Sequence, residues 1–493
     1  MRYTVGDNAV GMLCRGWLGE VHMFRSPQVE QRYTGALKRY DTAMNNDMPD
    51  RIPVRFLFEE VAAKYAGYTT QQTACDYGLA FDATRKMAQE LGVDAAMLNA
   101  IWSNYGVGKA ASWRYFAVPG VDVDMDSICQ FHEPSSEAEL CMQADEYDEF
   151  ADDPTAFLLN KWLPRYTTRV APAGAPVTLG HNAALIAGAM AYQRYIGSFG
   201  AYADKLKYEA GVVSANAGMI KAPFDLLMDK LRGYEGSIMD AFSQPDKVIK
   251  ACEALMPHIV ANAIGGADPD KIAPITIWAH RGTVPFITPH MFDTIYWPTL
   301  KPVFEEIISK GYRILFYSEG NWESHYDRLL ELPAGSIIYH LDRGDPKLLA
   351  RTIKRKFAVS GGLSYDVLSR GTRADVEASL KELFATLATE GGYMLDATAL
   401  MMQDINIDNV RAAVEYTMEH GVYSRSSAAP LHKREIPQAA PLPQGNRAPG
   451  VVIPWEQESS TYRQLAGDVD LVRRCWQEAD SWAYNYLWTT LLW

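Results

Sequence analysis

The sequence predicts an α/β protein, a (β/α)8 barrel with an acidic insertion and N- and C-terminal extensions. Between residues 270 and 421, five short apolar runs alternate with five amphipathic helical stretches. Such alternation is typical of parallel strands joined by helices. Three further apolar runs come earlier in the chain, which brings the number of predicted strands to eight. Because a barrel needs about 250 residues, the rest of the 493-residue chain should form the insertion and the extensions.

The strand–helix units of the second half are defined by the spacing of their apolar residues. In the stretch 290–311, apolar side chains recur at helical intervals and Gly311 ends the helix. The last helix has Asp408 as its expected N-cap and Gly421 just after its end. The predicted strands are 272–280, 312–318, 336–341, 357–361 and 392–398, and the predicted helices are 290–311, 323–332, 346–356, 374–392 and 408–421.

The first three strands are placed at wider spacing, over residues 51–58, 95–102 and 176–180. With the five later strands they suit a (β/α)8 barrel. A doubly wound open sheet is the competing topology, because it also alternates strands and helices.

The chain divides into three predicted regions: an N-terminal extension over 1–47, the barrel over 48–423 and a C-terminal region over 424–493. The insertion lies within the barrel region, at about 120–170, where Asp and Glu are frequent. The C-terminal region begins as a Pro-rich arm and ends in the aromatic run CWQEADSWAYNYLWTTLLW. Such a run should pack on the body or on a partner subunit, and it suggests a homodimer.

Composition and charge disfavour several classes of protein. The net charge of -13 argues against a nucleic-acid-binding protein, which needs a basic face. No run of about 18 apolar residues is present, so no membrane span is expected. The first residues lack the pattern of a secretory signal, and none of the six cysteines forms a C-x-x-C pair. We therefore expect a cytoplasmic protein with free thiols.

Polar side chains follow the predicted strands, where a barrel places its active site. The run RILFYSEGN ends an apolar strand on Tyr317, Glu319 and Asn321. Glu319 is the predicted acid, because a carboxylate directly after an apolar strand is expected to be desolvated. Tyr317 and His340 are the other predicted catalytic residues, as hydrogen-bond donor and proton carrier. The residues predicted to bind substrate are His280, Arg281, Asn321, Asp342, Asp396, Trp102 and Asn104.

These residues also have plainer interpretations. A polar side chain at a strand end is often a helix cap or a loop anchor. Tyr317 could simply fill the barrel, and a structural role for His340 is a close alternative.

Several motifs resemble the uroporphyrinogen decarboxylase superfamily, over roughly residues 48–423. They are MPDRIPVRF, LRGYEGSIMDAFSQPDKV, KGYRILFYSEGN, GTRADVEASLKELFATLATEGGYML and IDNVRAAVEYTMEHGVY. The resemblance implies a (β/α)8 barrel and one of two activities, decarboxylation of uroporphyrinogen or methyl transfer involving a corrinoid. The decarboxylases carry an arginine-rich RQAGRY motif, whereas this chain has only Arg51 and Arg55 near its first strand. The resemblance therefore favours the methyltransferase branch.

The thiol methyltransferases of this superfamily hold zinc through H-x-C-G-N and a later cysteine. The matching positions in this chain are Tyr317, Glu319 and Ala399, so all three zinc ligands of those enzymes are replaced. No metal is expected on this basis, and zinc is disfavoured without being ruled out. A different metal held by Glu319, His340, Asp342 and Asp396 is a weaker alternative.

The function implied by the resemblance is methyl transfer from a small methylated donor to cob(I)alamin. A methoxylated aromatic donor would make the reaction an O-demethylation, in which an acid at the barrel mouth assists the leaving group. The chain lacks the D-x-H-x-x-G motif of corrinoid-carrying domains, so the corrinoid should arrive free or on a separate corrinoid protein. The alternatives are a decarboxylase or other lyase of a carboxylated substrate, and a non-catalytic relative that binds a corrinoid or another ligand.

Overall fold

The structure is a computed structural model that describes residues 23–97, 103–134, 136–424, 436–443 and 445–492. Its strands are β1 Arg55–Leu57, β2 Ala95–Met97, β3 Phe116–Ala117, β4 Gln130–Phe131, β5 Val213–Ser214, β6 Met219–Lys221, β7 Ile275–Ala279, β8 Ile314–Asn321, β9 Ile337–Arg343, β10 Ala358–Gly361 and β11 Tyr393–Met394.

Parallel strands form a closed ring. Strands β1, β2 and β5 pair in that order, and β6 to β11 pair in chain order. Strands β5 and β6 lie four residues apart and share the third position of the ring, since β5 pairs with β2 and β6 with β7. The ring closes beside β1, where Arg55 N–H donates to the carbonyl of Leu395 and Leu395 N–H donates to that of Pro53, both at 2.9 Å. The predicted (β/α)8 barrel is confirmed.

The predicted third strand at 176–180 is wrong. Thr178 is instead the N-cap of a long helix, and its hydroxyl accepts from the N–H of His181 at 3.2 Å. A Thr that precedes an Ala-rich run favours a helix start over a strand. The third barrel position falls on β5 and β6, where short strands flank the small residues Ala215 to Gly218.

Helices surround the ring and fill the long connection between β2 and β5. The helices before β5 are α1 Pro27–Met44, α2 Glu60–Ala66, α3 Thr70–Cys75, α4 Tyr77–Leu91, α5 Tyr105–Ala110, α6 Tyr147–Asp152, α7 Pro154–Phe157, α8 Leu163–Tyr166 and α9 Leu179–Tyr208. The later helices are α10 Pro223–Leu226, α11 Tyr234–Ser243, α12 Pro245–Gly265, α13 Pro289–Met291, α14 Trp297–Ser309, α15 Tyr326–Leu329, α16 Pro346–Arg351, α17 Tyr365–Arg370, α18 Arg373–Leu387, α19 Ile407–His420, α20 Trp455–Ser459 and α21 Val469–Leu492.

Shorter helical turns connect some of these helices. The π-helical turns are Leu158–Trp162, Leu227–Leu231 and Phe292–Tyr296, and the 3-10 turns are Glu137–Glu139, Glu323–His325 and Ile353–Arg355. At the start of α19, Asn406 rather than the predicted Asp408 is the N-cap, because its side chain accepts from the N–H of Asp408 at 3.0 Å.

Helix α1 covers the N-terminal end of the barrel. Its buried face packs on the inward side chains of the strands, in one apolar cluster that includes Leu315 and Ile338. The hydroxyl of Tyr40 donates to the carbonyl of Ala215 at 2.8 Å. Since α1 covers this end, a substrate must approach from the C-terminal ends of the strands.

The aromatic tail packs on the body of the protein. Trp488 of α21 is fully buried, and its ring stacks on His258 of α12 with centroids 4.0 Å apart. Its indole N–H donates to Oγ1 of Thr155 at 3.2 Å. Within the described residues, neither this helix nor any other is long and apolar enough to span a bilayer.

Candidate functional site

Arg55 stands at the centre of a polar cluster inside the barrel. Its side chain is fully buried, and Nη2 donates to Nδ1 of His340 at 3.1 Å and to Oγ of Ser360 at 3.0 Å. The same nitrogen contacts the carboxylate of Asp396 in an ion pair. In the described part of the chain, Nε and Nη1 of Arg55 make no hydrogen bond. The structure thus brings two of the predicted site residues, His340 and Asp396, together around Arg55, which was not among the predicted site residues.

His340 is held with both ring nitrogens engaged. Nε2 lies 3.2 Å from the carbonyl oxygen of Thr398. A guanidinium only donates and a carbonyl only accepts, so Nδ1 accepts from Arg55 and Nε2 carries the hydrogen. Burial, with a smaller contribution from Arg55, holds the pKa of His340 well below its usual value. His340 is therefore a neutral side chain with no free nitrogen for a substrate.

Asp396 completes this buried cluster. Burial raises the pKa of its carboxyl group to about 6, and the attraction of Arg55 opposes that rise. Its Oδ1 also accepts from the N–H of Ala397 at 2.9 Å. Because Arg55 and this N–H stabilise the charged form, Asp396 is mainly ionised at neutral pH.

Three aromatic rings stack across neighbouring strands. Trp278, Tyr317 and His340 occupy paired positions on β7, β8 and β9. The centroids of Trp278 and Tyr317 are 4.1 Å apart, and those of Tyr317 and His340 are 3.9 Å apart. Burial, and then the charge of Asp396, hold the pKa of Tyr317 well above its usual value. Tyr317 therefore stays protonated inside the barrel.

Glu319 lies one pleat above this stack and is exposed. The expectation of a desolvated carboxylate is wrong, because β8 continues past the apolar run to Asn321 and carries Glu319 out of the core. Its Oε2 accepts a hydrogen bond from the indole N–H of Trp278 at 2.9 Å. Its backbone carbonyl accepts one from the indole N–H of Trp322, also at 2.9 Å. These two indoles fix the position of a carboxylate that a substrate can reach.

Two other predicted residues lie next to Glu319. Asp342 is half-buried and accepts from the N–H of Gly320 at 2.7 Å. Burial raises the pKa of Asp342, the negative charge of Glu319 adds to this, and the Gly320 N–H opposes it. Asn321 is exposed, and its amide donates to Oε2 of Glu323 at 3.3 Å. Glu319 and Asp342 thus form a pair of carboxyl groups at the barrel mouth.

His280 and Arg281 belong to a separate charged network. Nε2 of His280 lies 3.1 Å from Oδ1 of Asp229, and Nε of Arg281 donates to the same oxygen at 2.8 Å. Lys221 donates to the other oxygen of Asp229 at 2.6 Å, and Arg281 also pairs with Glu133 of the acidic insertion. Burial lowers the pKa of His280, but the neighbouring carboxylates outweigh it and raise that pKa. This network links the insertion to the barrel.

The carboxylates of this network were missed by the sequence analysis. Asp225 accepts from the backbone N–H of His280 at 3.2 Å and from the hydroxyl of Tyr296 at 3.0 Å. Asp225 and Asp229 follow β6, which occupies part of the third barrel position, and that position was predicted at residues 176–180. Their spacing of four residues in a helical turn is the signal that could have paired them.

Glu60 is a second missed carboxyl group, at the C-terminal end of β1. Its side chain is 1% exposed, and neither carboxyl oxygen has a hydrogen-bond partner in the part of the chain that the structure describes. Burial raises the pKa of Glu60 to about 7. The signal was the acidic pair in FLFEEV, which ends an apolar strand just as Glu319 does.

The remaining predicted positions are more peripheral. Trp102 lies outside the described residues. Asn104 is buried before α5, and its Oδ1 has no hydrogen-bond partner among them. Ala399 lies in the bend after β11 and is half-buried.

The metal alternative does not fit this arrangement. Over the described ranges, no group of three or more His, Cys, Asp or Glu side chains is arranged to hold a metal ion. The proposed ligands His340 and Asp396 are both bound by the guanidinium of Arg55. A cation placed between them would face that buried positive charge at close range.

Comparisons with known proteins agree with this architecture. A model of the family described as uroporphyrinogen decarboxylase (URO-D) matches residues 202–420, which contain strands β5 to β11. The resemblance to the URO-D superfamily is confirmed. A solved structure, a methyltransferase from Methanosarcina mazei, superposes with a TM-score of 0.51 at 16% identity, over 78% of this chain and 98% of that chain. At this identity the likeness supports the fold alone. The chain has no match among curated proteins.

Proposed function

We propose that the protein is a corrinoid-dependent methyltransferase that takes a methyl group from a small donor, of which a methoxylated aromatic is one class. The observation that carries the proposal is the exposed carboxylate of Glu319, which the indole of Trp278 holds at the barrel mouth. The URO-D match is consistent with this activity, and a solved structure that shares the fold is named as a methyltransferase. A barrel with polar groups at its open end suits a small donor.

The barrel mouth suits a docked corrinoid better than a resident one. A reduced corrinoid, when docked there, would supply the acceptor for the methyl group. The loop after β7 exposes Val284 and Phe286, by 67% and 37% respectively. Such apolar side chains on a rim fit the broad face of a macrocycle. Since the chain lacks the D-x-H-x-x-G motif, the corrinoid would come free or on a separate corrinoid protein.

In this proposal some residues of the barrel contact the methyl donor, and others hold those residues in position. Glu319 and Asp342 can reach a donor, and they would bind its polar end and assist the leaving oxygen. Tyr317 and His340 are enclosed in the ring stack, and we propose that they hold Trp278 in place. Trp278 in turn donates to Glu319. This chain of contacts would fix the carboxylate without a metal.

Decarboxylation is a second candidate, which one observation favours. Arg55 keeps Nε and Nη1 free of hydrogen bonds in the described structure although its side chain is fully buried. A guanidinium with free donors suits a carboxylate. This candidate predicts release of carbon dioxide from a carboxylated substrate without any corrinoid.

The test is an anaerobic absorbance assay with cob(I)alamin and a panel of methoxylated and methylated compounds. The proposal predicts conversion to methylcobalamin with one donor class, and a loss of turnover of about tenfold or more in Glu319→Gln. Glu382→Gln changes an exposed glutamate on α18 and is the matched control. A flat trace with folded protein, together with release of carbon dioxide from a carboxylated compound, would favour the second candidate. Corrinoid binding without turnover would indicate a non-catalytic relative.

A further inference from the structure

An apolar face of α9 is exposed on the surface of the described chain. Ala183, Ile186, Ala187 and Met190 are all exposed, and their spacing of three, one and three residues places them on one side of the helix. Ile186 is 59% exposed and Met190 is 64% exposed. The opposite side of α9, which includes Tyr192, is buried against the body. Single exposed apolar side chains are normal, but a contiguous face of them marks a contact surface.

The face continues beyond these four residues. Leu179 in the first turn of α9 is 87% exposed, and Val177 just before the helix is 60% exposed. Beside the helix, Trp482 of α21 is 43% exposed, and its backbone carbonyl accepts from the side-chain amide of Gln193 at 3.3 Å.

The size of this face suits a stable interface. Burying a large apolar side chain removes on the order of 100 Å² from water. The large side chains of the face are Val177, Leu179, Ile186, Met190 and Trp482. They would supply more than half of the roughly 800 Å² that each partner buries in a standard interface. The alanines and glycines between them would supply much of the rest.

The distribution of charge fits a second copy of this chain. Residues 170–193 contain no Asp, Glu, Lys or Arg, although charged residues make up 22% of the chain. Two copies that each carry a net charge of -13 repel one another over most of their surfaces. They can approach at an uncharged stretch without placing like charges together. A basic partner protein, by contrast, would gain no attraction from a stretch that has no carboxylates.

The order of small and large side chains on the face is self-complementary. A two-fold axis between positions 186 and 187 would set two copies of α9 antiparallel. Ile186 would then meet Ala187 of the second copy, and Met190 would meet Ala183 of the second copy. Each large side chain faces a small one, which is the arrangement that close packing of two helices requires. A two-fold interface uses the same patch on both copies, and this patch fits itself.

We propose that the protein is a homodimer in which the exposed faces of two α9 helices pack against each other across a two-fold axis. This inference does not depend on the proposed methyltransferase function. Helix α9 packs on α4 and α5 within its own chain, so its exposed face is free to bind a second copy without any change in the barrel.

The test exchanges charges across the proposed axis, with sedimentation velocity of the full chain as the readout. The wild type should sediment as a dimer. Ile186→Glu places a glutamate opposite Ala187 of the second copy, and Ala187→Lys places a lysine opposite Ile186. Each variant alone buries a charge without a partner, so the dimer dissociation constant should rise by about 100-fold or more.

An equimolar mixture of the two variants tests the register of the helices. It brings the glutamate of one chain against the lysine of the other once per dimer, so the dimer should return. Met239→Glu changes an equally exposed apolar residue on α11, which is 67% exposed, and is the matched control that should remain a dimer. Positions 186 and 187 are exposed in the single chain, and circular dichroism checks that both variants are folded.

Three outcomes would overturn the proposal. A wild type that sediments as a monomer at every concentration would show that a different protein, or another segment of this chain, covers the face. A dimer that survives both single variants would place the interface elsewhere. A mixture that stays monomeric would show that the two helices do not meet across an axis between positions 186 and 187.

Discussion

Nη2 of Arg55 donates to Nδ1 of His340 across 3.1 Å in the closed interior of the barrel. The same nitrogen holds Asp396 and Ser360, so one guanidinium joins β1 to β9, β10 and the end of β11. Burial, and to a smaller extent the charge of Arg55, keeps the pKa of His340 low and its ring neutral. The buried ion pair of Arg55 with Asp396 therefore lies at the base of the mouth, where these strands meet.

Replacing Arg55 should therefore destabilise the fold. Arg55→Met leaves Asp396 buried without its counter-charge, and we expect the free energy of unfolding to fall by about 3–5 kcal/mol. Denaturant unfolding at neutral pH measures the change. The double variant Arg55→Met with Asp396→Leu removes both charges and should recover most of the loss. Arg351→Met, on an exposed position of α16, is the control; a single variant as stable as this control would contradict the prediction.

The indole of Trp278 should matter for substrate binding more than for folding. Trp278→Phe keeps an aromatic ring against Tyr317 but removes the N–H that donates to Glu319 at 2.9 Å. We expect KM for the methyl donor to rise several-fold and the free energy of unfolding to change by about 1 kcal/mol. Steady-state kinetics and denaturant unfolding measure the two effects. Trp482→Phe, on an exposed face of α21, is the control, and an unchanged KM would show that Glu319 does not depend on Trp278.

The parts of the fold that the sequence predicted well are those with a strong local signal. Strands β7 to β10 are apolar runs bounded by helices, and each was placed close to its actual position. The third barrel position has no such signal, because β5 and β6 are two and three residues long and are held by backbone pairing with their neighbours. Pairing between distant strands is not visible in a short stretch of sequence.

In the functional site, too, the residues that were predicted correctly are those with a local sequence signal. The strand ends that carry Glu319, His340 and Asp396 were predicted from the position of polar residues after apolar runs. Arg55 could not be predicted, because its partners lie 285, 305 and 341 positions away in the chain. The exposure of Glu319 also depends on how far β8 extends past the core, which the apolar run does not show.

Glu60 should make the stability of the protein depend on pH in a defined direction. Its folded-state pKa, about 7, lies above the unfolded value of 4.5, so the folded state binds more protons between these values. The stability that this provides is complete below about pH 4.5 and is lost as the pH rises through 7. Relative to the wild type, Glu60→Gln should therefore gain stability with rising pH, by on the order of 2–3 kcal/mol between pH 5 and 8.5.

Thermal or denaturant unfolding of both proteins at the two pH values measures this gain. Glu382→Gln, which changes an exposed glutamate, should show no such difference. A Glu60→Gln variant whose stability follows that of the wild type at both pH values would show that Glu60 is not desolvated.

Lys230 is a buried amine among aromatic rings, and burial lowers its pKa, whereas burial raises that of Glu60. Its Nζ donates to the hydroxyl of Tyr166 at 3.2 Å and lies 4.9 Å from the ring centroid of Phe116 and 5.6 Å from that of Phe131. Burial, and then the repulsion of Lys221, lower the pKa of Lys230 to about 7. The contacts with the rings favour the charged form of the amine, and burial opposes it.

The sign of the effect follows from this lowered pKa. An unfolded lysine keeps its proton up to about pH 10, so between pH 7 and 10 the unfolded state binds a proton that the folded state lacks. Stability from this group therefore rises with pH over that window. Lys230→Met, which has a similar volume and no charge, should raise the free energy of unfolding at pH 6.5 by on the order of 2 kcal/mol, and this advantage should shrink by pH 9.5.

Denaturant unfolding of wild type and variant at both pH values tests this expectation, with Lys347→Met, on an exposed position of α16, as the control. If Lys230→Met were instead less stable than the wild type at pH 6.5, the attraction between the ammonium and the rings of Phe116, Phe131 and Tyr166 would outweigh its desolvation. The amine would then be a charged anchor of the β3–β4 hairpin, and its loss should also weaken the packing of the acidic insertion on the barrel.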